Sequence, residues 1–445
     1  MVNLIKILSA WLLIAGLFGQ SAAYSTQFTD DARTARLRWK TSLIPISLST
    51  SLTKPNPYIK PETDVAGAIE RSLAAWEKSA DIKFQISWTE KQTVSQSGKS
   101  GDGVSLLTIA PTPENLLLFG GDPQEVSART RIFFNRRGHI TEADIVLNPY
   151  EQFSTDGSNG TFDLEATLTH EIGHLLGLDH TSVTGATMHT HTGKNGVYNL
   201  PGFGARTLAE DDLSGIRALY GAKNADDNCC GTISGKLTTG NGKSAKDIQV
   251  WAEEFDSGRV AAGVLSNASG SFQIEGLAVG RYKIYAQSSV KTSAKSYAVE
   301  NLGEVEVSKG KTQNIVEKLS GGRKNFDLQY VGFNGQISEL AVPINGGKSY
   351  LIYVGGKNLN AANLTVGFNS RYLRVAPKSL MNHNYGDDIS VVSFEVNVAA
   401  EIPLGEYSFF LKALNEETQF AVGSLTVEPF VNPWNSYSLP LNELP

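Results

Sequence analysis

The stretch His170-Glu171-Ile172-Gly173-His174-Leu175-Leu176-Gly177-Leu178-Asp179-His180 fits the pattern H-E-x-x-H-x-x-G-x-x-H. On an α-helix, His170 and His174 stand one turn apart, about 40° around the axis at ~100° per residue, so both imidazoles leave from one face. Leu164, Leu168, Ile172 and Leu175 fall roughly opposite, which gives the same helix an apolar face for a core. Gly177 can take the left-handed conformation that ends a helix, turning the chain so that His180 returns as a third ligand. Three neutral imidazoles with a fourth position open form the donor set of a catalytic zinc rather than a structural one. Glu171, between the two helical ligands, is the candidate general base, placed to take the proton of a water that zinc acidifies toward a pKa of ~7. Five fixed positions, three of them histidine, arise by chance in a chain this long with probability on the order of 10⁻⁵. Five of the seven histidines lie between positions 170 and 191, which also argues against scattered surface residues. The pattern implies zinc-dependent hydrolysis.

Upstream of this motif Val65, Ile69, Leu73 and Trp76 recur at helical spacing, and a further helix is predicted from about Leu208 to Tyr220. Strands are predicted at Pro45 to Leu48, Ile82 to Trp88, Ser105 to Ile109, Arg131 to Phe134 and Glu142 to Leu147. Strands interleaved with three helices imply a mixed sheet packed by helices, from about Thr34 to Gly221. Ala222 to Cys230 is polar, carries Asp226-Asp227-Asn228, and reads as a linker. Beyond it, short alternating strands separated by Gly, Asn and Ser predict β-sandwiches.

The histidine motif, with Met188 eight residues after His180, resembles the metzincin zinc endopeptidases, whose signature continues to a Met-turn. Within them it most resembles the matrixins, the matrix-metalloproteinase family. Asp179-His180-Thr181-Ser182-Val183 is similar to the matrixin run after the zinc helix, and Leu208 through Gly221 to that family's closing helix. Leu37-Arg38-Trp39-Lys40 and the segment Ala68 to Trp76 resemble its first strand and first helix. The resemblance implies a metalloendopeptidase acting on protein or peptide, with His170, His174 and His180 on zinc, Glu171 as base, and Met188 as an apolar floor that does not bind the metal.

Three departures stand out. No cysteine precedes Cys229, so the family's zinc-blocking pro-segment has no counterpart. The loops that hold a structural zinc and calcium in animal members are not recognisable between Ser87 and Asn148, although Gly101-Asp102-Gly103 and Gly120-Gly121-Asp122 are candidate calcium turns. After Met188 the chain reads His189-Thr190-His191-Thr192-Gly193 where the family has a Pro and a Tyr, so the specificity pocket is expected to differ. His189 and His191 read as exposed loop residues, with an accessory metal pair as the alternative.

With 445 residues the chain has room for two to four domains. A net charge of −6 without a Lys/Arg run argues against nucleic-acid binding. Met1 to Ala23 reads as a secretory signal: Lys6, the apolar run Ile7 to Phe18, then Ser21-Ala22-Ala23. The apolar run is short for a membrane span, so the protein is expected to be exported, whether secreted, periplasmic or on the cell surface. The chain beginning at Tyr24 is expected to be active without further large processing. Cys229 and Cys230 are the only cysteines and are adjacent, so they close no long loop. A vicinal disulfide, an interchain pair and two free thiols all remain open.

Gly231 through Ile284 carries a strand order that resembles a carboxypeptidase regulatory-like, transthyretin-like sandwich. A second β-rich module, from about Phe326 to Pro429, resembles Ig-like repeats. The expected organisation is a signal peptide at 1–23, an α/β metzincin catalytic domain at 24–222 (a mixed twisted sheet plus three helices), and a linker at 223–230. Two β-sandwich domains at 231–322 and 326–430 and a loose tail at 431–445 complete it. The leading function is an exported zinc endopeptidase. The alternative is a surface binding or adhesion protein with a relic protease unit, against which the intact Glu171 counts.

Overall fold

The computed structural model describes residues 26–30, 33–98, 100–120, 126–200, 206–223, 229–289, 299–320 and 325–428. The expected signal segment 1–23, Asp122, most of the linker and the tail 431–445 lie outside the described residues.

The first unit is a mixed sheet covered by helices. Its elements in chain order are β1 (Arg38–Trp39), β2 (Leu43–Ser49), α1 (Val65–Ser79), β3 (Lys83–Thr89), β4 (Leu106–Thr108), α2 (Pro113–Leu116), β5 (Ala128–Phe134) and β6 (His139–Leu147). A small parallel pair β7 (Phe153–Ser154) and β8 (Phe162–Asp163) leads into α3 (Leu164–Leu175), and α4 (Glu210–Tyr220) closes the unit. The sheet order is β1-β6-β4-β2-β3, all parallel, with β5 antiparallel on β6. The three expected helices and five expected strands are present, and the four-residue α2, capped by Thr112, is an addition to them.

Helix α1 begins where the Asp64 carboxylate accepts the Gly67 N–H at 3.0 Å. Of the apolar stripe seen in the sequence it buries Ile69, Leu73 and Trp76, together with Ala68, while Val65 is partly buried against the same core. That stripe packs on α3, with Trp76 Nε1 donating to the Thr169 carbonyl at 2.9 Å. The core between α1, α3 and the sheet includes Leu164, Leu168, Ile172 and Leu175. Each such side chain contributes roughly 1.5–3 kcal/mol by burial, enough to fix the helix that carries the histidines.

The second unit is a sandwich of β9 (Cys229–Thr238), β10 (Ile248–Glu254), β11 (Val260–Leu265), β12 (Ser271–Ala278), β13 (Gly280–Ser288), β14 (Glu300–Val307) and β15 (Thr312–Lys318). Its sheets run β11-β10-β13-β14 and β12-β9-β15. Cys229 and Cys230, at the start of β9, are joined to each other in a disulfide. The third unit is a sandwich of β16 (Asp327–Phe333), β17 (Gln336–Ser338), β18 (Val342–Ile344), β19 (Ser349–Lys357), β20 (Leu364–Phe368), β21 (Leu373–Val375), β22 (Met381–His383), β23 (Ser390–Val398), β24 (Gly405–Ala413) and β25 (Thr418–Val427). One sheet runs β17-β16-β19-β23-β21 with β22 also on β23, and the other runs β18-β25-β24-β20.

The three units are welded together. Val183, Ala186 and Ala209 of the first, Trp251, Val260 and Tyr285 of the second, and Phe420 and Val422 of the third share one buried apolar cluster. The Asp211 carboxylate accepts the Gly263 N–H at 2.7 Å, and Asn369 Nδ2 donates to buried Glu253 at 2.7 Å. Tyr198, from a loop of the first unit, is fully buried in the core of the third. Its hydroxyl reaches the Val331 carbonyl at 3.2 Å, Ser338 Oγ at 2.7 Å and the Leu340 carbonyl at 2.9 Å. Among the described residues, no helix is long and apolar enough to cross a membrane.

Candidate metal centre

Helix α3 opens with Asp163 accepting the Ala166 N–H at 2.9 Å, and Arg206 grips the same carboxylate through Nε at 3.2 and 3.1 Å. The helix ends at Gly177, whose φ of +99° lies in the left-handed region. A side chain there would meet the Leu37 carbonyl oxygen at 2.3 Å, so only glycine makes this turn. The turn swings His180 back onto the helix, and His170, His174 and His180 converge. One ligand atom from each lies within 4.8 Å of the others, and among the described residues they are the only such group of three or more.

The donor geometry suits a small tetrahedral cation. His174 Nε2 and His180 Nε2 are 3.2 Å apart, and a tetrahedral site with zinc–nitrogen bonds of 2.0–2.1 Å separates its ligand nitrogens by about 3.3 Å. The Nδ1 atoms of two of the rings are already engaged, His170 with the Thr187 carbonyl at 2.7 Å and His174 with the Leu178 carbonyl at 2.9 Å. Those carbonyls fix the Nδ1–H tautomers and leave the Nε2 lone pairs for a metal. Burial, reinforced by the charge of neighbouring His174, pushes His170 down to about 4, and the same causes push His180 down further. Both rings are therefore neutral at neutral pH, the form a metal requires.

Glu171 is buried in the same cleft of about 230 Å³, beside the three histidines. The Thr130 hydroxyl donates to Glu171 Oε2 at 2.5 Å, which orients the carboxylate from β5. Met188 is buried under the helix, against Gly173, where any side chain would collide with the Met188 sulfur. The Met188 turn is held from α4. Asp212, fully buried, accepts the Thr187 N–H at 2.9 Å and the Met188 N–H at 3.0 Å, besides the Ala209 N–H at 2.8 Å. Because the Thr187 carbonyl in turn holds His170, Asp212 acts on that imidazole through a single peptide unit.

Sequence reasoning missed Thr130, Asp212 and Gln27, the last of which donates to the Leu178 carbonyl at 2.9 Å beside His174. For Asp212 the acidic run opening α4 was a signal, since carboxylates there normally cap their own helix. Nothing local marks Thr130 or Gln27. Of the two loop histidines expected to be exposed, His191 is exposed and pairs with Glu339 of the third unit at 2.9 Å, whereas His189 is half-buried. Asp102, a candidate calcium ligand, is engaged by Lys91 and by the Val104 N–H at 3.0 Å.

Residues 120–221 match the Matrixin family, and residues 232–320 match the carboxypeptidase regulatory-like domain. Metalloendoproteinase 4-MMP of Arabidopsis thaliana is 29% identical over 195 residues, covering 42% of this chain and 48% of that protein. Metalloendoproteinase 1 of Glycine max is 47% identical over 64 residues, 14% of this chain and 17% of that protein. The chain thus spans less than half the length of either relative. Among solved structures, the major pilin subunit of Bacillus cereus overlaps 45% of this chain and 67% of its own, at 14% identity and a TM-score of 0.19, too low to carry an argument.

Proposed function

We propose that this chain, which carries a matrixin domain followed by a carboxypeptidase regulatory-like domain, is an exported zinc endopeptidase. The observation that carries the reading is the convergence of His170, His174 and His180 beside the Thr130-oriented carboxylate of Glu171 in one cleft. Held by those three imidazoles, zinc supplies Lewis acidity, which polarises a peptide carbonyl and acidifies a water. Glu171 takes the proton of the attacking water on Oε1, the oxygen that Thr130 leaves open, and returns it to the departing amine. Thr130 keeps that carboxylate in one rotamer, and Asp212, through Thr187, keeps His170 in one ring orientation.

The cleft also offers a place for a peptide backbone. Among the described residues β5 pairs with β6 alone, and Ala128, Arg129 and Thr130 line the cleft along its other edge. An extended peptide adds to such an edge by main-chain hydrogen bonds. Export rests on the charged start and apolar run at Met1 to Ala23. Cleavage of casein or gelatin, with and without a chelator and after zinc is restored, tests the reading. Activity lost to the chelator and regained with zinc is expected, whereas chelator-insensitive cleavage, or none after zinc loading, would overturn it.

A further inference from the structure

Behind His170 lies a second cavity of about 130 Å³, walled jointly by the first and third units. It adjoins the metal site. Thr192 lines both this cavity and the histidine cleft. Ala166, one helical turn before His170, and Thr187, whose carbonyl accepts from His170 Nδ1, form its inner wall. The opposite wall belongs to the C-terminal sandwich and includes Leu340, Pro343 and Glu428.

The two walls are locked together. The Thr184 N–H donates to the Val422 carbonyl at 3.1 Å, and His191 pairs with Glu339 at 2.9 Å. The plugged Tyr198 holds the loop that follows His191 in the core of the third unit. The cavity is therefore a fixed feature of the joined units, and the sandwich completes it.

Its chemistry is uneven. Alanines, Leu340 and Pro343 make apolar sides. Glu428 contributes a half-buried carboxyl with no hydrogen-bond or ion-pair partner among the described residues, and burial raises it above the ordinary carboxylate range with nothing offsetting. The cavity's own cation-capable group, His191, is already committed to Glu339. A lone carboxyl among apolar side chains and the neutral hydroxyls of Thr184, Thr187, Thr192 and Thr426 is complementary to a cation on an aliphatic stem, whose methylenes lie along the apolar sides while the head pairs with the acid.

We infer that this cavity is a substrate side-chain pocket completed by the C-terminal sandwich, and that Glu428 makes it select a lysine or arginine beside the scissile bond. The inference rests on the proposed peptidase reading, which supplies the peptide. Glu428 is a specificity-determining residue in it and takes no part in the chemical step.

The test separates the two readings. Two fluorescent peptides that differ only by lysine or norleucine at one central position are titrated into the full zinc-loaded chain carrying Glu171→Gln, which binds without cutting. The lysine peptide is expected to bind at least ~10-fold more tightly. Adding Glu428→Gln should bring the two within ~2-fold, leaving norleucine binding unchanged and the circular dichroism spectrum intact. Glu428→Lys should turn the preference toward a glutamate peptide. Equal affinities at the outset, or a lysine preference that survives Glu428→Gln, would overturn the inference. If the wild-type chain cuts nothing while the Glu428-dependent preference holds, the pocket stands and the peptidase reading falls. If it cuts without that preference, the reverse is true.

Discussion

Replacing Asp212 by alanine should loosen the metal site without touching a ligand. The carboxylate is fully buried and accepts three backbone N–H groups, those of Thr187, Met188 and Ala209. Alanine leaves all three without an acceptor, at about 2 kcal/mol each for a buried donor, roughly 6 kcal/mol in total. Part of this is returned, because burial raises the Asp212 carboxyl from 3.8 to about 6. The folded chain therefore already carries a cost of about 3 kcal/mol for holding it ionised, at ~1.4 kcal/mol per unit. The net loss is about 3 kcal/mol, which for a unit of this size lowers the melting temperature by roughly 6–12 °C. The same change frees the Thr187 carbonyl that orients His170, and such supporting contacts typically carry 10–100-fold of metal affinity. Calorimetry of the chelated chain and a competition titration with a zinc indicator read the two effects. A first transition within 2 °C of wild type, together with unchanged zinc affinity, would mean that Asp212 does not support the Met188 turn.

Further outcomes are expected. Glu171→Gln keeps the side chain's size and removes the proton acceptor, so zinc content should stay near one per chain while turnover falls at or beyond the upper end of the ~10²–10⁴-fold range of general-base catalysis; retention of more than about a tenth of the activity would exclude that role. Tyr198→Phe removes a buried hydroxyl that engages Val331, Ser338 and Leu340, and should cost about 1–3 kcal/mol by chemical denaturation; no change would mean the plug holds by packing alone. Asp211, Asp212 and Glu406 are buried near the contact of α4 with the third unit, and burial raises them to about 8, 6 and 8. Each binds its proton more tightly folded than unfolded, so the stability they contribute is complete below about pH 4 and is lost as pH rises to about 8. Melting of the chelated protein should accordingly fall between pH 5 and 8, and a rise across that window would contradict the assignment.

The histidine cluster was legible because its spacing is local. Three histidines within eleven residues and a glycine at the turn specify a helix and its reversal without any distant contact. The helices and strands of the first unit were legible for the same reason, since Val65, Ile69, Leu73 and Trp76 already mark the face of α1 that packs on the core. What supports the site is not local. Thr130 meets Glu171 across 41 positions, Asp212 meets Met188 across 24, and Tyr198 meets Leu340 across 142. A threonine in a strand, an aspartate in a first turn and a tyrosine in an Asn-Gly loop each have an ordinary local reading that hides a tertiary one. The joining of the units was likewise invisible, because Val183, Trp251 and Phe420 look like members of three separate cores until they are found in one cluster.

Zinc content and peptide hydrolysis, measured side by side on the wild-type chain and on His180→Ala, decide whether the three histidines form a catalytic zinc site. His180 is the proposed ligand that only the Gly177 turn brings back. The wild type should hold one zinc per chain and cleave an unstructured protein, whereas His180→Ala should lose both the tightly bound metal and the activity. Full zinc occupancy with undiminished cleavage in His180→Ala would contradict the account.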